Sequence, residues 1–324
     1  MFQKFLELPK GELHVHLNGL FDTDVIKSIL IEEGTVLPSN FDVHKHLNHT
    51  EPKSNLVEYL KPWDVLRLIP LDINNLSRLI ESGFTKLKND NVKFVEIRST
   101  VIYLSNLLNL SLSKTLEVLI ELLDKSAQKR DISYGLIFTI SRSEFSSNNL
   151  SHLIKSYIEI GKPEKIIGLD LAGNEDYDIS SDISSMFSDA KYRFGFNITI
   201  HAGETGNANN IIKAVEDFKA DRIGHGTSIL QSQRAIELVV KNNVCIEVCP
   251  VSNYLTNYNI EFEGKHPSLS FIENNIPFVI CSDNPSIHKK NLSDDYYLLY
   301  NQGLSMEKIE DMFNTQNKYS FIWK

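Results

Sequence analysis

The sequence predicts an α/β fold of the (β/α)8 (TIM) barrel type with an extended helical insertion after the first strand. Three observations predict it. Eight short, apolar, β-rich runs recur along the chain: GELHVHL, VKFVEIRST, ISYGLIFTIS, KIIGLDLAG, FNITIHAGE, DRIGHG, VCIEVCPVSN and IPFVICSDNP. Longer segments with helical spacing lie between them, such as Leu116, Leu119, Ile120 and Leu123 before the third run, and Ile236, Val239 and Val240 before the seventh. Parallel strands need a crossover between them, so this alternation builds βα units, and eight of these can close on themselves. A doubly wound open sheet would give much the same alternation. The third observation is continuity: no linker or low-complexity block divides the chain, apart from the short polar stretch DYDISSDISS at 176–185, so residues 1–324 read as one domain.

Taken in order, the first run carries His14 and His16. Residues two apart on a strand project to the same face, so both imidazoles can chelate one ion. The connection that follows, about residues 18–91, is longer than one helix needs. Leu56, Leu60, Trp63 and Leu66 fall on one helical face within it, and the excess is read as helix placed over the barrel mouth, either a lid or an ordinary packed insertion. His44, His46 and His49 lie in a polar part of this connection and are read as solvated.

The fifth run ends in His201-Ala202-Gly203-Glu204, which adds a third imidazole and, just beyond it, a carboxyl placed to reach a substrate. The sixth supplies His225 between two glycines, free for acid–base work or for orienting a water. The eighth ends in Ser282-Asp283-Asn284-Pro285, and closure of the barrel brings Asp283 beside His14 and His16. Each residue alone reads equally well as an ordinary core or cap residue. Their joint placement at the C-terminal ends of strands, where barrel enzymes build their sites, is what points to chemistry. Three imidazoles and one carboxylate with an open position suit one catalytic Zn2+.

The motifs PKGELHVHLNG (9–19), GLDLAGNE (168–175), HAGE (201–204), RIGHG (222–226), CPVSN (249–253) and SDNP (282–285), in that order over nearly the whole chain, resemble the adenosine deaminase family. The resemblance implies a zinc held by His14, His16, His201 and Asp283, with Glu204 and His225 catalytic and the backbone N–H of Gly173 on a purine ring nitrogen. It implies hydrolytic deamination of adenosine and 2′-deoxyadenosine to inosine and 2′-deoxyinosine. Two-metal relatives carry a lysine at the end of the fourth strand; here that strand ends in Asp170-Leu171-Ala172-Gly173, so one metal is expected. Cytidine-type zinc deaminases need a PCxxC, which this chain lacks.

Two positions depart from the family's commonest pattern. Asn18 stands where an aspartate is usual, near the sugar's 5′ end, and HLNG resembles the branch that deaminates N6-methyl-AMP. That makes another 6-aminopurine, N6-methyl-AMP or adenine, the alternative substrate, with Lys61, Arg67 and Arg98 as the cations available for a phosphate. Asn284 replaces the aspartate that bonds the purine N7, and an amide donates to that acceptor directly. A catalytically inactive binding homologue is the reading from a different class.

Composition sets the outer bounds. A formal net charge of −9 opposes nucleic-acid or anionic-membrane partners and leaves small purine nucleosides compatible. The three cysteines, Cys245, Cys249 and Cys281, fall in strand-like segments and imply no disulfide framework. No run approaches ~18 apolar residues and the N-terminus has no signal-peptide pattern, so a cytoplasmic protein is expected.

Overall fold

A computed structural model describes residues 1–37, 39–256 and 264–323. All eight expected strands form: Lys10–His16 (β1), Val92–Ser99 (β2), Ser133–Ser141 (β3), Ile166–Ala172 (β4), Asn197–Ala202 (β5), Arg222–His225 (β6), Cys245–Val248 (β7) and Phe278–Ile280 (β8). They pair in parallel in sequence order, with helices in the connections, which selects the barrel over the open sheet. Between β8 and β1 the circle closes at one place. Asp283 N–H donates to the His14 carbonyl at 2.8 Å and His16 N–H donates to the Asp283 carbonyl at 3.0 Å. The barrel seam therefore lies at the residue expected to complete the metal site.

Outside the barrel the interface is apolar. The helix Leu112–Arg130 buries Leu116, Leu119 and Leu123 as its spacing requires, and Gln233–Lys241 buries Ile236 and Val239. Val240, read as part of that buried face, is exposed: one residue beyond Val239, it is rotated about a quarter-turn toward solvent. The seventh run is only half strand. It stops at Val248, and Pro250 opens the helix Pro250–Thr256, where the absent N–H of proline costs nothing.

The lumen is charged rather than aliphatic. Arg98 pairs with Asp170 at 3.2 Å and with Glu247; Arg222 Nε donates to Glu247 at 2.7 Å, and its guanidinium pairs with Glu96 at 2.5 Å. All five are fully buried. Unpaired charges at this depth would cost several kcal/mol each, so the layer is stable only as a set of mutually compensating pairs.

The first connection is helical, as expected, and its last helix, Ile73–Asn89, is the ordinary crossover to β2. What precedes it is excess. The expected single face over Leu56–Leu66 is two short helices, Leu56–Tyr59 and Pro62–Leu66, because Pro62 cannot continue the first. The histidine group also divides. His44 and His46 sit on the outward helix Val43–Leu47, but His49, expected in solvent, is buried with Nε2 2.8 Å from the Tyr59 carbonyl. The chain turns inward there to bring Tyr59 over the barrel mouth. No helix among the described residues is long and apolar enough to cross a membrane.

Candidate active site

His14, His16, His201, His225 and Asp283 converge at the C-terminal end of the strands, as the alternation of side chains along β1, β5 and β6 dictates. One ligand atom each from His14, His201, His225 and Asp283 lies within 4.8 Å of the others. His16 Nε2 lies 3.3 Å from His201 Nε2 and 3.3 Å from Asp283 Oδ1. His225 and Asp283 both hold left-handed backbone, φ 66° and 62°. Non-glycine residues seldom adopt that conformation, and it turns both side chains inward at the ends of short strands.

The donor set fits a cation. His14 Nδ1 lies 2.8 Å from Glu247 Oε2, and His201 Nδ1 lies 2.9 Å from Asp170 Oδ1. A carboxylate on Nδ1 holds the proton there and leaves the Nε2 lone pair facing the cavity. His14 Nε2 is buried without a hydrogen-bond partner among the described residues. Asp283 turns Oδ1 toward His14 and His16, at 3.6 and 3.3 Å, while Oδ2 accepts from Ser252 Oγ at 2.7 Å and Tyr59 hydroxyl at 3.4 Å. Burial opposes charge on Asp283, but the nearby imidazoles of His14, His16 and His225 outweigh this and hold its pKa well below the usual carboxylate range. Burial lowers His16 to about 3, keeping that ring a neutral donor.

Glu204 is buried on the opposite side, 3.7 Å from His225 Nε2. Burial, with the carboxylates of Glu175 and Asp283, raises its pKa well above the ordinary value and so favours its protonated form. Glu175 also builds the turn that presents it, accepting the N–H groups of Gly203 and Glu204 at 2.7 and 2.8 Å. A cavity of about 500 Å³ joins Gly173, His201, Glu204, His225, Asp283 and Asn284 to Tyr59, Leu60 and Trp63 of the insertion. Gly173 has φ 92°, and nothing but the Arg142 nitrogen lies near a Cβ built on it, so its backbone is open to the cavity.

Asn284 Nδ2 donates to the Tyr59 hydroxyl at 3.2 Å, and its Oδ1 is buried without a partner among the described residues. Gly19 makes room for it: a Cβ there would fall 2.3 Å from Asn284 Oδ1. Asn18 lines a smaller adjoining cavity with Trp63, Arg67 and Tyr103 rather than the one holding Glu204. Of the three cations named for a phosphate, Arg98 is committed to Asp170 and Glu247 in the lumen. Lys61 and Arg67 are exposed at the mouth in local pairs with Glu58 and Asp64.

Sequence reasoning missed Asp170, Glu247, Tyr59, Ser252 and Asn253. Asp170 and Glu247 carried one available signal, a carboxylate placed inside an otherwise apolar strand. Tyr59 carried none, since only the fold of the insertion brings its hydroxyl to Asp283.

Comparison with known proteins agrees with this geometry. The family model described as adenosine deaminase matches residues 9–324. An adenosine deaminase of Clostridium botulinum (strain 657 / Type Ba4) is 28% identical over 324 residues, covering 99% of this chain and 96% of that one. Two solved structures share the fold. A zinc-bound amidohydrolase from Burkholderia ambifaria has TM-score 0.86 at 18% identity, covering 99% of this chain and 87% of that one. The N6-mAMP deaminase of Arabidopsis has TM-score 0.83 at 24% identity, covering 98% and 94%.

Proposed function

The chain belongs to the adenosine deaminase family and is a hydrolytic deaminase acting on C–N bonds, and from that premise we propose that it converts adenosine and 2′-deoxyadenosine to the 6-oxopurine nucleosides and ammonia with one zinc. The observation that carries the reading is the pairing of two functions across one cavity: imidazole lone pairs set by buried carboxylates on one side, and the buried carboxyl of Glu204, 3.7 Å from His225, on the other. His14, His16, His201 and Asp283 hold the metal. When bound, zinc supplies the Lewis acidity that brings the pKa of a water down to ~7.

The chain's own residues do the rest. Gly173 N–H and the Asn284 amide orient the purine, the amide using its second hydrogen for N7 while the first stays on Tyr59. Addition of water at C6 breaks the ring's aromaticity and drives electron density onto N1. Glu204 donates its proton there, a general-acid step worth roughly 10²–10⁴-fold. The proton taken from the water passes to the amine, and ammonia leaves as the C6 hydroxyl gives up its own proton, which restores Glu204, and the tetrahedral carbon collapses to the 6-oxopurine. The buried thiols of Cys249 and Cys281 fit a reducing compartment, the cytoplasm.

A nucleotide is the second reading, favoured by Arg67 and Asn18 together in the side cavity and by the likeness to an N6-mAMP deaminase. Zinc content and the absorbance change of 6-aminopurine hydrolysis test both. The assay is run over adenosine, 2′-deoxyadenosine, adenine, AMP and N6-methyl-AMP. Adenosine turning over at least tenfold faster than either nucleotide supports the first reading, and the reverse order replaces it with the second.

A further inference from the structure

A chain of hydrogen bonds runs from a backbone amide to the catalytic imidazole, and its direction is fixed at its far end. Ser268 N–H donates to His266 Nδ1 at 3.1 Å. A backbone amide can only donate, so His266 Nδ1 is the acceptor and its proton sits on Nε2. His266 Nε2 is 3.1 Å from Asn253 Oδ1, and Asn253 Nδ2 is 3.0 Å from His225 Nδ1. Turning the Asn253 amide over would set two donors against each other at His266, so the amide is oriented too. Its NH2 then donates to His225 Nδ1, which must carry the lone pair. All three side chains are buried, so water does not interrupt the chain.

We propose that Asn253 and His266 are positioning residues that lock His225 as the neutral Nε2–H tautomer, so that His225 meets the reacting atoms as a hydrogen-bond donor and not as a base. The proposal rests on the reading of His225 as a catalytic residue of the deaminase site. It divides three of the site's histidines by the group behind each ring. Carboxylates behind His14 and His201 give Nε2 lone pairs, suited to a metal; an amide donor behind His225 gives Nε2–H, suited to a developing oxyanion. It also leaves Asp283, and not His225, as the proton acceptor beside the nucleophile. Burial reinforces the same state at the far end of the chain of hydrogen bonds, pushing His266 down to about 3.

The test is ¹⁵N spectroscopy of the zinc-loaded, ¹⁵N-histidine-labelled protein, with the His225 signals assigned by their loss in His225→Gln. The expected spectrum shows a pyrrole-type Nε2 and a pyridine-type Nδ1. Asn253→Asp, nearly isosteric, puts an acceptor behind the ring and should exchange the two signatures while lowering kcat by roughly 10²-fold or more, with KM within about twofold. Asn253→Ala removes the contact without reversing it and should lose less than about tenfold. A pyrrole-type Nδ1 in the wild type overturns the proposal, as does Asn253→Asp retaining wild-type kcat. The wild-type spectrum needs no variant to fold. Should adenosine prove a poor substrate while Nε2–H is observed, the substrate reading falls and the tautomer assignment stands.

Discussion

The two sides of the cavity are held in different ways. On the strand side, three of the groups facing the metal position have a buried partner behind them: Glu247 behind His14, Asp170 behind His201, Ser252 behind Asp283. Glu247 and Asp170 are themselves tied to Arg98, and Glu247 also to Arg222, so the His14 and His201 imidazoles cannot turn without disturbing a fully buried charge network. On the insertion side, Val57, Lys61, Asp64 and Arg67 face solvent, and Arg67 and Lys61 pair with residues three positions back in the chain, Asp64 and Glu58. Exposed pairs of that kind hold little geometry. Tyr59 is the exception, buried and joined to Asp283, Asn284 and His288. The contrast teaches that the strand side of the cavity is held by buried partners, while on the insertion side Tyr59 alone of these residues is held in that way.

Substitutions on the strand side should therefore be severe, and the ligands sharpen the comparison most. His14→Ala and His201→Ala should lose bound zinc and activity together, read by metal analysis beside the deamination assay; full zinc in both proteins would remove the assigned site. Glu204→Gln comes next. It should keep its zinc and lose about a hundredfold or more in kcat. Because burial raises the Glu204 pKa, the wild type holds the needed proton to higher pH than an ordinary carboxyl and loses it as pH rises through that raised value, giving an alkaline limb in kcat/KM. The limb should be missing from Glu204→Gln, and its persistence would assign the acid elsewhere.

One layer deeper, Asp170→Asn should leave the fold intact and weaken zinc binding by roughly 10–100-fold, measured by competition with a chelator. Unchanged affinity would break the idea that the lumen network serves the metal. Asn284 sits where the two sides meet. If its amide donates to N7, 7-deaza-adenosine should carry a penalty of ~1–3 kcal/mol in kcat/KM, and that penalty should shrink in Asn284→Ala. Equal penalties in both proteins would take Asn284 away from N7.

The smallest effect is expected at Arg67. Arg67→Ala should leave adenosine turnover within about twofold, since an exposed local pair holds little. Loss of AMP or N6-methyl-AMP turnover alone would mark Arg67 as a phosphate contact and favour the nucleotide reading.

Much of this site was legible in the sequence, for a local reason. A strand sends residues i and i+2 to one face, so His14 and His16 declared themselves within three letters, and His201 and Glu204 stood at the end of a β-rich run where a barrel opens. Eight such runs separated by helical spacing were enough to expect the fold. Closure was expected from the eight runs, and with it Asp283 beside His14, as the seam between β8 and β1 shows. What the tertiary structure alone decided is everything that depends on partners distant in sequence. Asp170 and Glu247 lie behind His201 and His14 because β4 pairs with β5 and the lumen is narrow. Tyr59 reaches Asp283 because Pro62 breaks a helix the periodicity had drawn as continuous, and Arg98, read as a free cation, is consumed by carboxylates on strands four and seven. Side-chain direction along an element is set by local backbone geometry and can be read from spacing. The partner of a buried charge is set by which strands the barrel brings together, and no local pattern carries that.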